Sequence, residues 1–240
     1  MVFIGFLSAL QVRAQTNILS ARDTTLPSEL QKFVSGRIIR TSTIDFDGDG
    51  RPDYIVEVEI PRDPASSVNP NPYAYEYWFT SRFKLVKKTP RNIDDYYFMW
   101  FANLGRSKQP YVILAEGFSD GIDYAVYGQD FTTGRDTLLF RFYPVLLNSI
   151  AGKRIFHWGY PWDISDLLLK DQRGIPLIHC SFDTLKNADE GTSDMPSWQR
   201  RVPILFFSGK STQESDLGEI QTLSWLSLDQ ILEQCHKGTR

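Results

Sequence analysis

The 240 residues are 42% hydrophobic and 14% aromatic, with 13 Pro and 16 Gly, a composition that builds a globular body and excludes a disordered chain. The 26 Lys and Arg against 29 Asp and Glu leave a net charge of -3, with no basic surplus to grip a phosphate backbone, so nucleic acid is excluded as a partner. Two cysteines and three histidines leave little material for a disulfide-dense mini-fold or for a thiolate and imidazole metal centre.

In chain order, residues 2 to 10 run Val-Phe-Ile-Gly-Phe-Leu-Ser-Ala-Leu, the length of a secretory h-region, and Val12 and Ala14 are short side chains where a signal peptidase reads. The expectation is a signal peptide over 1–14, cleaved before Gln15, and a secreted or periplasmic mature chain over 15–240 that forms one β-rich domain. The run lacks a preceding Lys or Arg, which leaves a buried N-terminal strand or helix as the other reading. No later segment has the ~20 apolar residues of a membrane span. A first helix follows: Thr25 can cap it, Leu26, Leu30, Phe33 and Val34 fall on one face, and Gly36 stops it.

From there to residue 207 the pattern is that of strands. Runs at 37–44, 54–60, 73–79, 96–102, 110–116, 122–128, 137–143, 175–182 and 203–207 are short and rich in Val, Ile, Tyr, Phe and Trp, with Gly, Pro, Asn and Asp between them. Pro61, Pro64, Pro70 and Pro72 make 61–72 a loop, and the polar stretches 183–201 and 208–218 are loops as well. A last helix opens on Ser227 and Gln230 as a capping box, carries Leu228, Ile231, Leu232 and Cys235 on one face, and ends at Gly238. Cys180 lies on a strand and Cys235 on this helix, and they are either two buried thiols or a disulfide, which an oxidising compartment permits.

Between the first two strands stands the most specific motif in the chain. Asp45-Phe-Asp47-Gly48-Asp49-Gly50-Arg51-Pro52-Asp53 places carboxylates at positions 1, 3, 5 and 9 of a loop, with Gly50 at the sharp turn and the carbonyl of Arg51 at position 7. A loop that coils around a point brings alternate carboxylates together, and four like charges so close repel without a cation. Oxygen donors alone favour Ca2+ over zinc or copper. Position 12 is Val56 rather than a bidentate Glu, and strands rather than helices flank the loop.

Such a strand, calcium loop and strand, with Arg-Pro-Asp-Tyr-Ile-Val after the glycines, resembles the FG-GAP and VCBS-type repeats of integrin-like propellers and secreted bacterial proteins. The resemblance covers residues 37–60. It implies Asp45, Asp47, Asp49, Asp53 and the Arg51 carbonyl as Ca2+ ligands, and a mainly β fold: propeller-like, or a compact antiparallel domain of degenerate units, with a short helix near each end. Fainter echoes lie at 102–116, a period of 57 residues that matches Gly105 with Gly48 and Tyr111 with Tyr54, and at 170–179.

Three other constellations are weaker. Gly117-Phe-Ser119-Asp-Gly121 matches the nucleophile-elbow pattern after a strand, but a strand-like run rather than a helix follows it, so a β-turn is the better reading. Tyr73, Tyr75 and Tyr77 share one strand face, and Trp158, Tyr160 and Trp162 cluster around Gly159 and Pro161. Exposed rings at that spacing stack on sugars, whereas buried ones pack strands together. Glu57 and Glu59 share a strand face, as an acid pair or as a solvated edge. The sequence therefore points to an exported, non-enzymatic binding or scaffold module with a structural Ca2+ loop, its partner a polysaccharide or a protein ligand. A hydrolase with a Ser119 nucleophile and a glycan-binding protein are the alternatives.

Overall fold

The segment Tyr73-Ala-Tyr-Glu-Tyr-Trp-Phe79 illustrates how a two-residue period builds this molecule: Tyr75, Tyr77 and Phe79 join one hydrophobic cluster while Trp78 joins another on the opposite face. The computed structural model describes residues 16–18, 26–60, 73–92, 96–105, 109–118, 121–150, 153–158, 164–184, 201–208 and 223–237. The expected leader over 1–14 and the loop 61–72 lie outside them. The strands are β1 (Thr16–Ile18), β2 (Arg37–Ile44), β3 (Asp53–Ile60), β4 (Tyr73–Phe79), β5 (Leu85–Asn92), β6 (Tyr96–Ala102) and β7 (Tyr111–Phe118). They continue as β8 (Gly121–Asp130), β9 (Arg135–Ile150), β10 (Lys153–Trp158), β11 (Leu168–Lys170), β12 (Pro176–Thr184), β13 (Arg201–Ser208) and β14 (Ser224–Leu226). Among the described residues two helices, α1 (Ser28–Gln31) and α2 (Leu228–Lys237), and a 3-10 turn at Ile164–Leu167 complete the set.

The fold is a compact, mainly antiparallel β domain with two short helices. Strands β2-β3-β4-β5 form a four-stranded antiparallel meander. The remaining strands form one ten-stranded sheet in the order β1-β6-β7-β8-β9-β13-β12-β11, with β10 added to β9 and β14 to β12, and this long sheet curls into a half-barrel. Its pairs are antiparallel except β13 with β9, where Ile204 aligns with Tyr143. Of the two architectures expected, the molecule takes the compact antiparallel one. The echo segments 102–116 and 170–179 fall on the β6-β7 and β11-β12 hairpins, so what they share with 37–60 is a strand-turn-strand.

Apolar faces stack in layers. Under α1, Leu26 and Leu30 bury against Val56, Val58, Tyr77 and Phe79 of the small sheet. On that sheet's other face Ile44, Phe46, Ile55 and Trp78 meet Met99, Phe101 and Val112 of the long sheet and Phe131 of its β8-β9 turn. Inside the curl Trp100, Ile113, Val126, Phe142, Ile178 and Phe207 pack with Leu228 and Ile231 of α2. Adjacent residues such as Phe101 and Trp100 thus serve different layers, as the strand period requires. Gly134, at the tip of the β8-β9 hairpin with φ +71, draws the layers close: a Cβ there would lie 2.4 Å from the Val86 carbonyl oxygen of β5.

The first helix departs from expectation. Only one turn forms, capped by Pro27 without a side-chain bond, because Phe33 N–H already bonds back to Leu30 in a tighter three-residue step. Phe33 is left 44% exposed, and Thr25 lies outside the described residues. At the other end α2 has its capping box: the Gln230 side-chain Oε1 accepts from the Ser227 N–H at 2.9 Å and the Ser227 hydroxyl from the Gln230 N–H at 3.4 Å. Among the described residues no helix is long and apolar enough to cross a membrane.

Candidate metal centre

The loop that joins β2 to β3 holds Asp45, Asp47 and Asp49 with one carboxylate oxygen of each within 4.8 Å of the others. Backbone N–H groups set the side chains. Asp45 accepts from Gly48 and Gly50, both at 2.9 Å, one bond to each of its oxygens. Asp47 accepts from the Asp49 N–H at 3.0 Å and Asp49 from the Arg51 N–H at 2.8 Å, two successive turns in which an Asp bonds the backbone two residues on. Gly50 has φ +83, a left-handed conformation that a residue with a Cβ adopts only at a cost. The chain therefore coils around a point, and its three carboxylates face that point while remaining open to water.

Asp53 takes a different place. It is fully buried, and its carboxylate receives N–H groups from Phe46 at 3.0 Å, from Asp47 at 3.3 Å and from Ser81 at 2.6 Å. Burial pushes its carboxyl up to about 6; the Ser81 N–H pulls it down, and the nearby Asp47 charge adds to the rise. Asp53 thus ties the entry of the loop to its exit and both to the β4-β5 turn. That turn closes through Thr80 and Lys84, 2.9 Å between N and O, and places the Ser81 hydroxyl 3.4 Å from Asp49. Phe83 holds it at φ +62, a strained value for a side chain of this size, with its ring against Tyr54 at 5.8 Å. Phe46, between the first two aspartates, turns inward, stacks on Phe131 at 4.9 Å and meets Trp78 in a tilted contact at 5.3 Å. Polar residues outside and an aromatic plug inside are the alternation of β2 carried one step into the loop.

Ser81 and the anchoring role of Asp53 are what spacing alone does not reveal. Ser81 is 28 residues from Asp53, and only the β3-β4 pairing, in which Tyr54 aligns with Phe79, brings the β4-β5 turn to the loop. Glu76 was also silent in the sequence. It faces the inter-sheet layer at 3% exposure and accepts the Trp78 indole N–H at 2.7 Å.

The other candidates scatter. Tyr77 is buried and stacks on Phe79 at 6.1 Å, and Tyr75 is half-buried with the Lys88 ammonium 4.0 Å from its ring centre. The side chains of Tyr73 and Trp158, and all of Tyr160 and Trp162, lie outside the described residues. So does Ser119, in the two-residue link between β7 and β8, where Phe118 pairs with Gly121. A strand, not a helix, follows that link. Glu57 and Glu59 each meet an arginine of β2, Arg40 at 2.8 Å and Arg37 respectively. A cavity of about 530 Å3 opens between the β6-β7 loop, the β11-β12 turn and the start of α2. Polar groups on its wall engage one another: Asp171 pairs with Arg173 at 3.1 Å, and Gln230 caps α2. No family model matches the chain, and no curated protein or solved structure matches it at a significant level.

Proposed function

We propose that this is an exported, non-enzymatic β protein whose 45–53 loop binds one Ca2+ and thereby fixes β2, β3 and the β4-β5 turn as part of a binding or scaffold surface. One observation carries the reading: three carboxylates converge within 4.8 Å at a hairpin turn. Asp45, Asp47 and Asp49 would hold the ion with the Arg51 carbonyl and water, an all-oxygen set suited to a hard cation. The bound ion supplies charge, offsetting the repulsion among the three carboxylates. Asp53 stands behind them as the anchor. The resemblance of residues 37–60 to FG-GAP and VCBS loops supports the same assignment.

Because a ligand that binds only the folded state stabilises it by mass action, Ca2+ at ten to a hundred times its dissociation constant should add about 1.4 to 2.7 kcal/mol. Extracytoplasmic loops of this kind have dissociation constants of about 0.1 to 1 mM. Thermal melts in EDTA and in millimolar CaCl2 measure the gain. Asp47→Ala and Asp49→Ala should abolish it while leaving the melt in EDTA nearly unchanged. A wild-type melting temperature indifferent to Ca2+, or a gain that survives both substitutions, sinks the proposal.

A further inference from the structure

We propose that Cys180 and Cys235 form a disulfide site, at which oxidation joins their sulfur atoms and staples α2 to β12 inside the curl of the long sheet. Strand β14 pairs antiparallel with β12, Leu226 against Ile178 and Ser224 against Cys180. After Ser227 the chain turns into α2, which packs on β12, β13 and β9. Leu228, where the helix begins, and Leu177 of β12 line the same cavity. A helix advances about 1.5 Å per residue and a strand about 3.3 Å, so the seven steps from Leu228 to Cys235 cover the length of roughly three strand residues. Three residues beyond Leu177 is Cys180. Cys180 and Ile178 face the same cluster, and Leu232 and Cys235 pack against it from α2. Both cysteines are in the thiol form, Cys180 fully buried and Cys235 half-buried. A second observation agrees: burial pushes the Cys180 thiol up to about 12, and Cys235 adds to the rise.

The oxidant is a small-molecule disulfide such as oxidised glutathione. Cys235, the more accessible thiol, loses its proton and attacks one glutathione sulfur; the glutathione S–S bond breaks and one glutathione thiolate leaves. Cys180 then loses its proton and attacks the Cys235 sulfur, expelling the second glutathione. Two thiol protons and two electrons pass to the oxidant, and two glutathione thiols result. Burial of Cys180 hinders this second step in the folded chain, so the bond forms most readily before α2 has fully docked.

The test is to unfold the full chain and refold it in a glutathione redox buffer, alongside a sample kept in reductant. Peptide mapping after alkylation under denaturing conditions should find one cross-linked pair containing Cys180 and Cys235, two hydrogens lighter than the separate peptides, in a monomer. Closing a loop of about 55 residues should raise the melting temperature of the oxidised sample by about 5 to 10 °C over the reduced one. Cys235→Ser, at a half-buried position, should keep the fold and remove that difference. Full alkylation of both cysteines after oxidative refolding, a bond between two chains, or equal melting temperatures overturns the proposal. Calcium dependence is read out separately, so either result leaves the calcium reading to its own test.

Discussion

A carboxylate sheltered from water is costly unless donors replace its hydration, and Asp53 has three backbone N–H groups to do so. Its neighbour Asp49 is exposed and makes weaker, local bonds. The two aspartates of one motif should therefore fail differently. Asp53→Ala orphans three N–H groups and is expected to lower stability by about 2 to 4 kcal/mol in EDTA, where no cation contributes. Asp49→Ala should cost almost nothing there, since it removes a like charge from a crowded loop. Chemical denaturation in EDTA compares them; an Asp53→Ala protein as stable as wild type without cation would overturn the anchoring role. Glu76 makes a related point. A buried carboxylate on a strand face reads as apolar-face error in a sequence, and becomes sensible only when the Trp78 indole N–H is found beside it.

At the scale of elements, His179 shows what one strand's surroundings do to a side chain. It lies on β12 with the Trp225 ring of β14 stacked at 4.5 Å and Phe206 of β13 at 5.9 Å. Burial between them lowers its pKa below 6.5, partly countered by a bond to the Phe206 backbone. The unfolded chain then takes up a proton that the folded chain refuses, so His179 costs no stability above pH 6.5 and lowers it as pH falls through that value. His179→Phe keeps an aromatic ring against Trp225 and should flatten the loss of melting temperature between pH 7.5 and 5. An unchanged slope would mean that the imidazole does not titrate as its burial requires. The same scale explains how far the sequence was readable. Strands β2, β4 and β6 have the limits that alternation predicts. Strand β5 was invisible because Leu-Val-Lys-Lys-Thr-Pro-Arg-Asn carries the lysines and proline of an edge, and β5 is the edge of the small sheet. Strand β9 continues past the expected end at residue 143 because Pro144 falls where its partner changes: through Phe142 it pairs with β8, and from Tyr143 with β13. The convergence of Asp45, Asp47 and Asp49 is legible because the three are local in sequence. The loop's anchor to Ser81 is not, since that bond depends on which strands pair.

Across the whole molecule, most strands lie beside a sequence neighbour: β2 through β5 form one meander and β6 through β9 another, and Phe46 and Phe131 join them. Three pairings are of another kind. Strand β1 returns to β6 with Thr16 against Ala102, β13 inserts parallel to β9 with Ile204 against Tyr143, and β14 skips β13 to pair with β12, Leu226 against Ile178. Loop closure must precede such distant contacts, which makes them slow. Pulse-labelled hydrogen exchange during refolding should therefore find the amides of β3, β4, β7 and β8 protected before those of β13 and β12; simultaneous protection would refute this order. Parallel insertion of β13 thus acts as a clock. Until it is complete, β12 lacks one neighbour and α2 lacks part of its seat, and the segment carrying Cys180 remains open to solvent, giving the two thiols a limited interval in which to meet.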